Sequence, residues 1–204
     1  MAHSTIARAA MHEEVVQGSR FIAYADVAGA VGAATDHLAA IRAEHPAATH
    51  HCWAYKIGTA QRFSDDGEPG GTAGRPMLEV ILKRGLDHVS TVVVRYFGGI
   101  KLGAGGLVRA YSGSLAKALD LAGTHEVPDT LSVTVRAPFA YTDAVLRLLD
   151  SYSKTHAPFV REAPEFDGAG LVARVTLAVH DEGGLLRDLT ELTQGTARLQ
   201  ADAD

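Results

Sequence analysis

Residues 89–109 read VSTVVVRYFGGIKLGAGGLVR and carry the clearest folding signal in the chain. The run VSTVVV is mostly β-branched and apolar, which is typical of a strand covered on both faces. Five of the fifteen residues 95–109 are glycine, and after them an apolar stripe recurs at spacings of four, at Leu107, Tyr111, Leu115 and Leu119. The stretch therefore predicts a buried strand over 89–98, a glycine-rich turn and a long helix.

Outward from this stretch, the pattern predicts alternating strands and helices. Before it we expect strands over 18–27 and 50–58, a helix that ends at Pro46, a loop over 60–74, and a helix from Pro76 to Gly85. After it, turn-forming residues at 123–130 indicate a domain boundary, and the remaining segments have the order βαββαβ of ferredoxin-like domains. The prediction is an α+β protein with an N-terminal domain over 1–124 and a C-terminal domain over 125–204.

Composition and charge narrow the setting of the 204-residue chain. A single cysteine excludes an intramolecular disulfide, and the sequence contains no signal-peptide pattern and no apolar run of membrane-spanning length, so we expect a cytoplasmic protein without a membrane partner. The net charge is −5, but residues 56–119 carry +4 and residues 120–204 carry −7. This asymmetry predicts a basic face in the N-terminal domain and an acidic C-terminal domain.

The glycine-rich stretch fails both named phosphate-binding patterns. Ala104 and Gly105 stand where a Walker loop needs Lys and Ser or Thr, and Val108 stands where a dinucleotide fold needs its third glycine. Free amides at a helix start still favour an anion. The candidate anion- or nucleic-acid-binding residues are Arg95, Lys101, Gly103, Gly105, Gly106, Arg109 and Lys117.

Two other groups of polar residues invite a chemical interpretation. Asp65, Asp66 and Glu68 could hold a hard cation, although an Asp-Gly turn whose carboxylates bond backbone amides is the commoner use of such residues. His50 and Cys52 share one face of a strand, but no further ligand pair follows, which favours a buried thiol over a zinc site or a nucleophile. No catalytic residue and no metal site is predicted.

Three separated motifs resemble the signature of the IMPACT/YigZ family in its two-domain bacterial type. They are RAEHPAATHHCWAY (42–55), FSDDGEPGGTAGRPM (63–77) and VVVRYFGGIKLGAGGLVRAYSGSLAKAL (92–119). The resemblance implies an N-terminal domain like the second domain of a small-subunit ribosomal protein, with a left-handed βαβ crossover. It also implies a C-terminal domain like the last domain of elongation factor G. Eukaryotic relatives regulate translation under amino-acid starvation.

These observations leave three functional hypotheses. The first is a non-enzymatic binding or regulatory protein that contacts RNA or the ribosome through its basic face, with no reading of DNA sequence. The second is an enzyme for a phosphorylated or nucleotide substrate, with Mg²⁺ held by the 65–68 loop; no other cofactor is expected. The third is an adaptor whose acidic C-terminal sheet pairs with a protein partner. The sequence favours the first.

Overall fold

The structure, a computed structural model, describes residues 2–202. The chain divides into two compact units, His3–Val127 and residues 128–202 together with Ala2. Each unit combines helices with antiparallel strands, which confirms the α+β class. Among the described residues, no helix combines the length and the apolar character needed to cross a bilayer.

The N-terminal unit contains seven strands and three helices within the described residues. They are β1 (His3–Ile6), β2 (Ala10–Val16), β3 (Ser19–Val27), α1 (Val31–Glu44), β4 (His50–Ile57), β5 (Ala60–Ser64), α2 (Gly74–Lys83), β6 (Val89–Tyr96), α3 (Gly103–Ala122) and β7 (Thr124–Val127). Five strands form a sheet in the order β2-β3-β6-β4-β5 with every neighbour antiparallel. Strands β1 and β7 form a separate ribbon in which His3 faces Val127 and Ile6 faces Thr124.

Helices cover both faces of the five-stranded sheet. On one face, α2 and α3 pack against β3, β4 and β6, and Phe21, Met77 and Tyr111 are fully buried there. On the other face, Ile41 of α1 packs against Ile22 and other residues of β3 and β6. Strand β6 is accordingly buried from its first residue to its seventh. This confirms the prediction of a strand covered on both faces, since β6 occupies the centre of the sheet.

The sequence pattern missed the two edge strands of this sheet. The predicted loop over 60–74 is wrong at residues 60–64, which form β5 and pair with β4. Strand β2 went unnoticed because polar His12 and Glu14 lie on its inner face, so the apolar alternation expected of a strand is lost. Strands β2 and β3 are joined by a two-residue turn in which Gln17 and Gly18 both have positive φ, as type I′ hairpins require.

The C-terminal unit has the predicted βαββαβ order. Its elements are β8 (Thr130–Pro138), α4 (Thr142–Thr155), β9 (Phe159–Arg161), β10 (Glu165–Phe166), β11 (Gly170–Ala178), α5 (Glu182–Thr193) and β12 (Arg198–Ala201). The second predicted strand is divided into β9 and β10, which both pair with β11. Their registers differ by one residue, so the segment around Pro164 is a bulge on an edge strand, where a residue without an N–H is tolerated.

Candidate nucleic-acid interface

The acidic loop after β5 uses its first carboxylate to bind its own backbone. Asp65 Oδ1 accepts hydrogen bonds from the amides of Ala73 and Gly74 at 2.9 and 2.8 Å, and Oδ2 accepts one from Gly71 at 2.8 Å. The first amides of α2 are thereby satisfied from outside the helix, which is the role of an N-terminal cap. Asp65 therefore closes the loop onto α2.

The second carboxylate of the loop connects it to α1 and β4. Asp66 Oδ1 lies 2.8 Å from Arg42 Nη2, and Oδ2 accepts a hydrogen bond of 2.7 Å from the amide of His51. The carbonyl of Asp66 is 2.8 Å from His50 Nδ1. Within residues 2–202, no group of three or more His, Cys, Asp or Glu is arranged to hold a metal ion. The carboxylate of Asp65 thus bonds amides of its own loop, as the turn interpretation expects, whereas that of Asp66 bonds α1 and β4.

Glu68 of the acidic loop and Arg95 of β6 form a buried ion pair. Their side chains are 3% and 6% exposed, and Arg95 Nη1 donates to Glu68 Oε1 at 2.6 Å. Tyr111 of α3 donates to the same oxygen at 2.7 Å. Burial, together with the neighbouring Cys52 thiol and Glu68, raises the pKa of Tyr111, which keeps the phenol a donor. The network connects the acidic loop, β6 and α3.

Arg95 also fixes the loop that follows β6. Its Nη2 donates to Ser19 Oγ at 3.2 Å, and the same oxygen accepts a hydrogen bond from the amide of Gly98. The guanidinium carbon lies 5.4 Å from the ring centroid of Phe21 and 5.5 Å from that of Phe97, within cation–π range. Arg95 is therefore a positioning residue inside the fold, not part of the exposed basic group.

The remaining basic candidates lie at the surface of α3. Lys101 and Arg109 are exposed on either side of the helix start, where Gly103 has a φ of +69°. Within the described part of the chain, neither side chain has a hydrogen bond or an ion pair. A Cβ on Gly105 would lie 3.6 Å from Arg109 Nη1, so the guanidinium folds back over the first turn. Gly106 also lies in this turn.

Lys117 lies two turns further along α3 and is neutralised. It forms an ion pair and a hydrogen bond with Glu14 of β2. The structure thus brings together Lys101, Gly103, Gly105, Gly106 and Arg109, and places Lys117 beside them with a partner of its own. The separation of about 80° around the helix between Arg109 and Lys117 leaves both exposed, as their spacing implies.

Two apolar side chains at this surface escaped the sequence analysis. Phe97 is 48% exposed and Ile100 is 55% exposed, both in the loop between β6 and α3. As far as the described residues show, the helix start next to them has no side-chain cap and no acidic residue in its first turn. Exposed aromatic rings beside free cations are what proteins use to stack unpaired bases. The predicted strand over 89–98 is two residues too long, because β6 ends at Tyr96 and Phe97 lies in the loop that follows.

Cys52 is fully buried and unsuited to nucleophilic chemistry. Its thiol donates to the carbonyl of Asp65 at 3.0 Å, and burial raises its pKa from an ordinary 9.0 to about 12. We expect a dithiobis-nitrobenzoate reagent to leave native protein unlabelled at pH 8 and to label it stoichiometrically in denaturant. Above pH 9 the thiol of the unfolded chain ionises while the buried thiol stays neutral. The free energy of unfolding should therefore fall as the pH rises from 9 toward 12. Fast labelling of native protein would contradict this burial.

Comparison with known proteins agrees with the motifs at this site. The family model of the Impact N-terminal domain matches residues 17–119. A relative from Thermus thermophilus, "IMPACT family member in pol 5'region", is 43% identical over 183 residues, which are 89% of this chain and 97% of that protein. The chain belongs to the IMPACT family. "IMPACT family member YigZ" of Escherichia coli is 40% identical over 141 residues, covering 67% of this chain and 69% of that protein.

A solved structure extends the likeness of this IMPACT family member to both units. A crystal structure described as that of a hypothetical protein has a TM-score of 0.77 and 31% sequence identity, and covers 100% of this chain and 98% of that chain. The region matched by the family model contains the whole Glu68–Arg95–Tyr111 network and the start of α3.

Proposed function

We propose that this IMPACT family member is a cytoplasmic, non-enzymatic binding protein that contacts RNA or the ribosome and acts in translation or its regulation under stress. The observation that carries the proposal is the pair of cations Lys101 and Arg109, which have no partner among residues 2–202, at the uncapped start of α3, with exposed Phe97 in the loop that leads to it. Cations of this kind attract phosphates, and the ring offers a stacking surface to unpaired bases.

The resemblance supplies a second, weaker support. It implies a ribosomal-protein-like N-terminal domain with a left-handed βαβ crossover, and a C-terminal domain like the last domain of elongation factor G. Both are expectations of fold, and a fold alone does not specify a function. No observation favours the enzyme that binds Mg²⁺ through the 65–68 loop, because Asp65 and Asp66 hold the loop against α2, α1 and β4 and Glu68 is buried in an ion pair with Arg95.

The test is binding of a fluorescein-labelled single-stranded RNA of about 12 nucleotides, followed by anisotropy at several salt concentrations. We expect the affinity to fall steeply with salt, and the log–log slope to shrink by about 0.7 for each phosphate that a variant no longer binds. The double variant Lys101→Ala/Arg109→Ala should leave two phosphates unbound. Co-sedimentation with ribosomes at low salt is the second arm.

The matched control is Arg75→Ala/Lys83→Ala, which removes two exposed cations from α2 and leaves the start of α3 unchanged. The proposal is supported if the salt dependence of RNA affinity in this control equals that of the wild type, while it is reduced in the α3 variant. Absence of binding to RNA and to ribosomes at low salt, or binding that salt does not weaken, rejects it.

A further inference from the structure

A cavity of about 310 Å³ lies between β2, the hairpin turn and α3, next to the proposed RNA-binding surface. Its wall on the sheet side includes Glu14 and Gln17, and Arg109 lies on its helix side. The cavity is separate from the buried network of Glu68 and Arg95, because neither residue lines it. The cavity therefore lies at one edge of the five-stranded sheet, where β2 is the outermost strand.

Small residues form the helix wall of the cavity. Gly106, Ala110 and Gly113 line it at spacings of four and three, which places them on one face of α3. Between Gly106 and Gly113 this face is about 10 Å long. A Cβ on Gly113 would meet no atom of the described residues within 4 Å, so the space in front of it is open. Leu102 covers Gly106, since a Cβ on Gly106 would lie 2.9 Å from Leu102 Cβ, so the open part of this wall runs from Ala110 to Gly113.

The cavity is lined by charges of both signs, which would orient a bound ligand. Arg109 has no partner within the described residues and its guanidinium lies toward the helix start. Glu14 lies opposite the later turns of α3, where Ser114 donates to it at 2.6 Å and Lys117 also donates. Burial raises the pKa of Glu14, but these two bonds outweigh burial and leave the pKa below its ordinary value. A ligand's anionic part is therefore favoured at Arg109 and disfavoured at Glu14.

We propose that this cavity receives one nucleotide of a single-stranded RNA, with the base against Leu102, Ala110 and Gly113 and the phosphate at Arg109. The inference rests on the proposed function and specifies it further. Base N–H groups are directed toward Glu14, whose two oxygens each have a lone pair beyond the one bonded to Ser114 or Lys117. A base within a duplex is paired and stacked, so it cannot enter, and single strands are selected.

Gly113→Met tests this cavity without changing any charge. The position is helical, its φ is not positive, and a better helix former than glycine should keep or raise stability. The control is Gly32→Met in α1, another helical glycine whose added Cβ would meet no described atom within 4 Å. We expect Gly113→Met to fill the space that the base would occupy and to weaken binding of the labelled single-stranded RNA about tenfold, or about 1.4 kcal/mol, and Gly32→Met to bind like wild type.

The outcomes separate the two proposals. If wild type binds and Gly113→Met binds as tightly as Gly32→Met, the cavity inference is overturned while the RNA-binding function stands. Equal wild-type affinity for a duplex RNA of the same length also overturns the cavity inference alone. If wild type binds no RNA at low salt, the RNA-binding function fails and the cavity inference fails with it. Denaturation midpoints confirm that each variant is folded in the assay.

Discussion

Glu68→Ala should lower the free energy of unfolding of the N-terminal unit by about 3–5 kcal/mol. The substitution leaves Arg95 as a buried charge without its counterion, and it removes the acceptor of the Tyr111 hydroxyl. Each change alone is costly, because a buried donor without an acceptor forfeits the hydration it had in the unfolded chain. Trp53, the single tryptophan, lies in β4 and reports the unfolding of this unit by fluorescence in a urea titration.

Two companion variants make the interpretation specific. Glu79→Ala breaks the exposed pair with Arg75 on α2, and we expect it to change stability by less than about 0.5 kcal/mol. The double variant Glu68→Leu/Arg95→Met removes both charges, so it should cost less than the sum of the single changes. A Glu68→Ala effect no larger than that of Glu79→Ala would show that the pair does not stabilise the fold.

Gly98→Ala is expected to destabilise the same unit by about 3 kcal/mol, at the upper end of overpacking effects. A Cβ there would lie 1.9 Å from the carbonyl carbon and oxygen of Gly18, atoms of the backbone that no rotamer change can move. The hairpin turn and the loop after β6 would have to separate, which also breaks the hydrogen bond from the Gly98 amide to Ser19.

Two other glycines, Gly99 and Gly113, provide a graded comparison for this prediction, measured as urea midpoints. Gly99 has a φ of +86° but open surroundings, so Gly99→Ala should cost about 1 kcal/mol through backbone strain alone. Gly113 is helical with open surroundings, so Gly113→Ala should be neutral or slightly stabilising. Similar midpoints for Gly98→Ala and Gly99→Ala would mean that the close approach to Gly18 relaxes at little cost.

The sequence was most informative where local patterns and burial agree. The run VSTVVV, the glycines after it and the stripe through Leu107, Tyr111 and Leu115 predicted β6, its turn and α3. The βαββαβ order of the C-terminal unit was likewise readable from periodicity and turns. Strands β2 and β5 were not, because β2 has polar His12 and Glu14 on its inner face and β5 is mostly exposed, so neither shows the apolar alternation of a strand.

The candidate site could be read only in part for a different reason. Lys101 and Arg109 lie within the signature itself, so the helix start was visible as a basic, glycine-rich segment. The role of Arg95 was not visible, since Glu68 and Ser19 are 27 and 76 positions away in the chain. Glu14 and Lys117 are separated by 103 positions. Pairings over such separations are decided by sheet order, which no local pattern specifies.

The β1–β7 ribbon has a consequence for how the N-terminal unit can be handled. Because His3 faces Val127 across one antiparallel pair, the two ends of the unit lie only about 5 Å apart. The chain therefore enters and leaves this unit at nearly the same place. The unit is therefore suited to insertion into a surface turn of an unrelated host protein, and to new termini opened elsewhere with the old ones joined by a short linker.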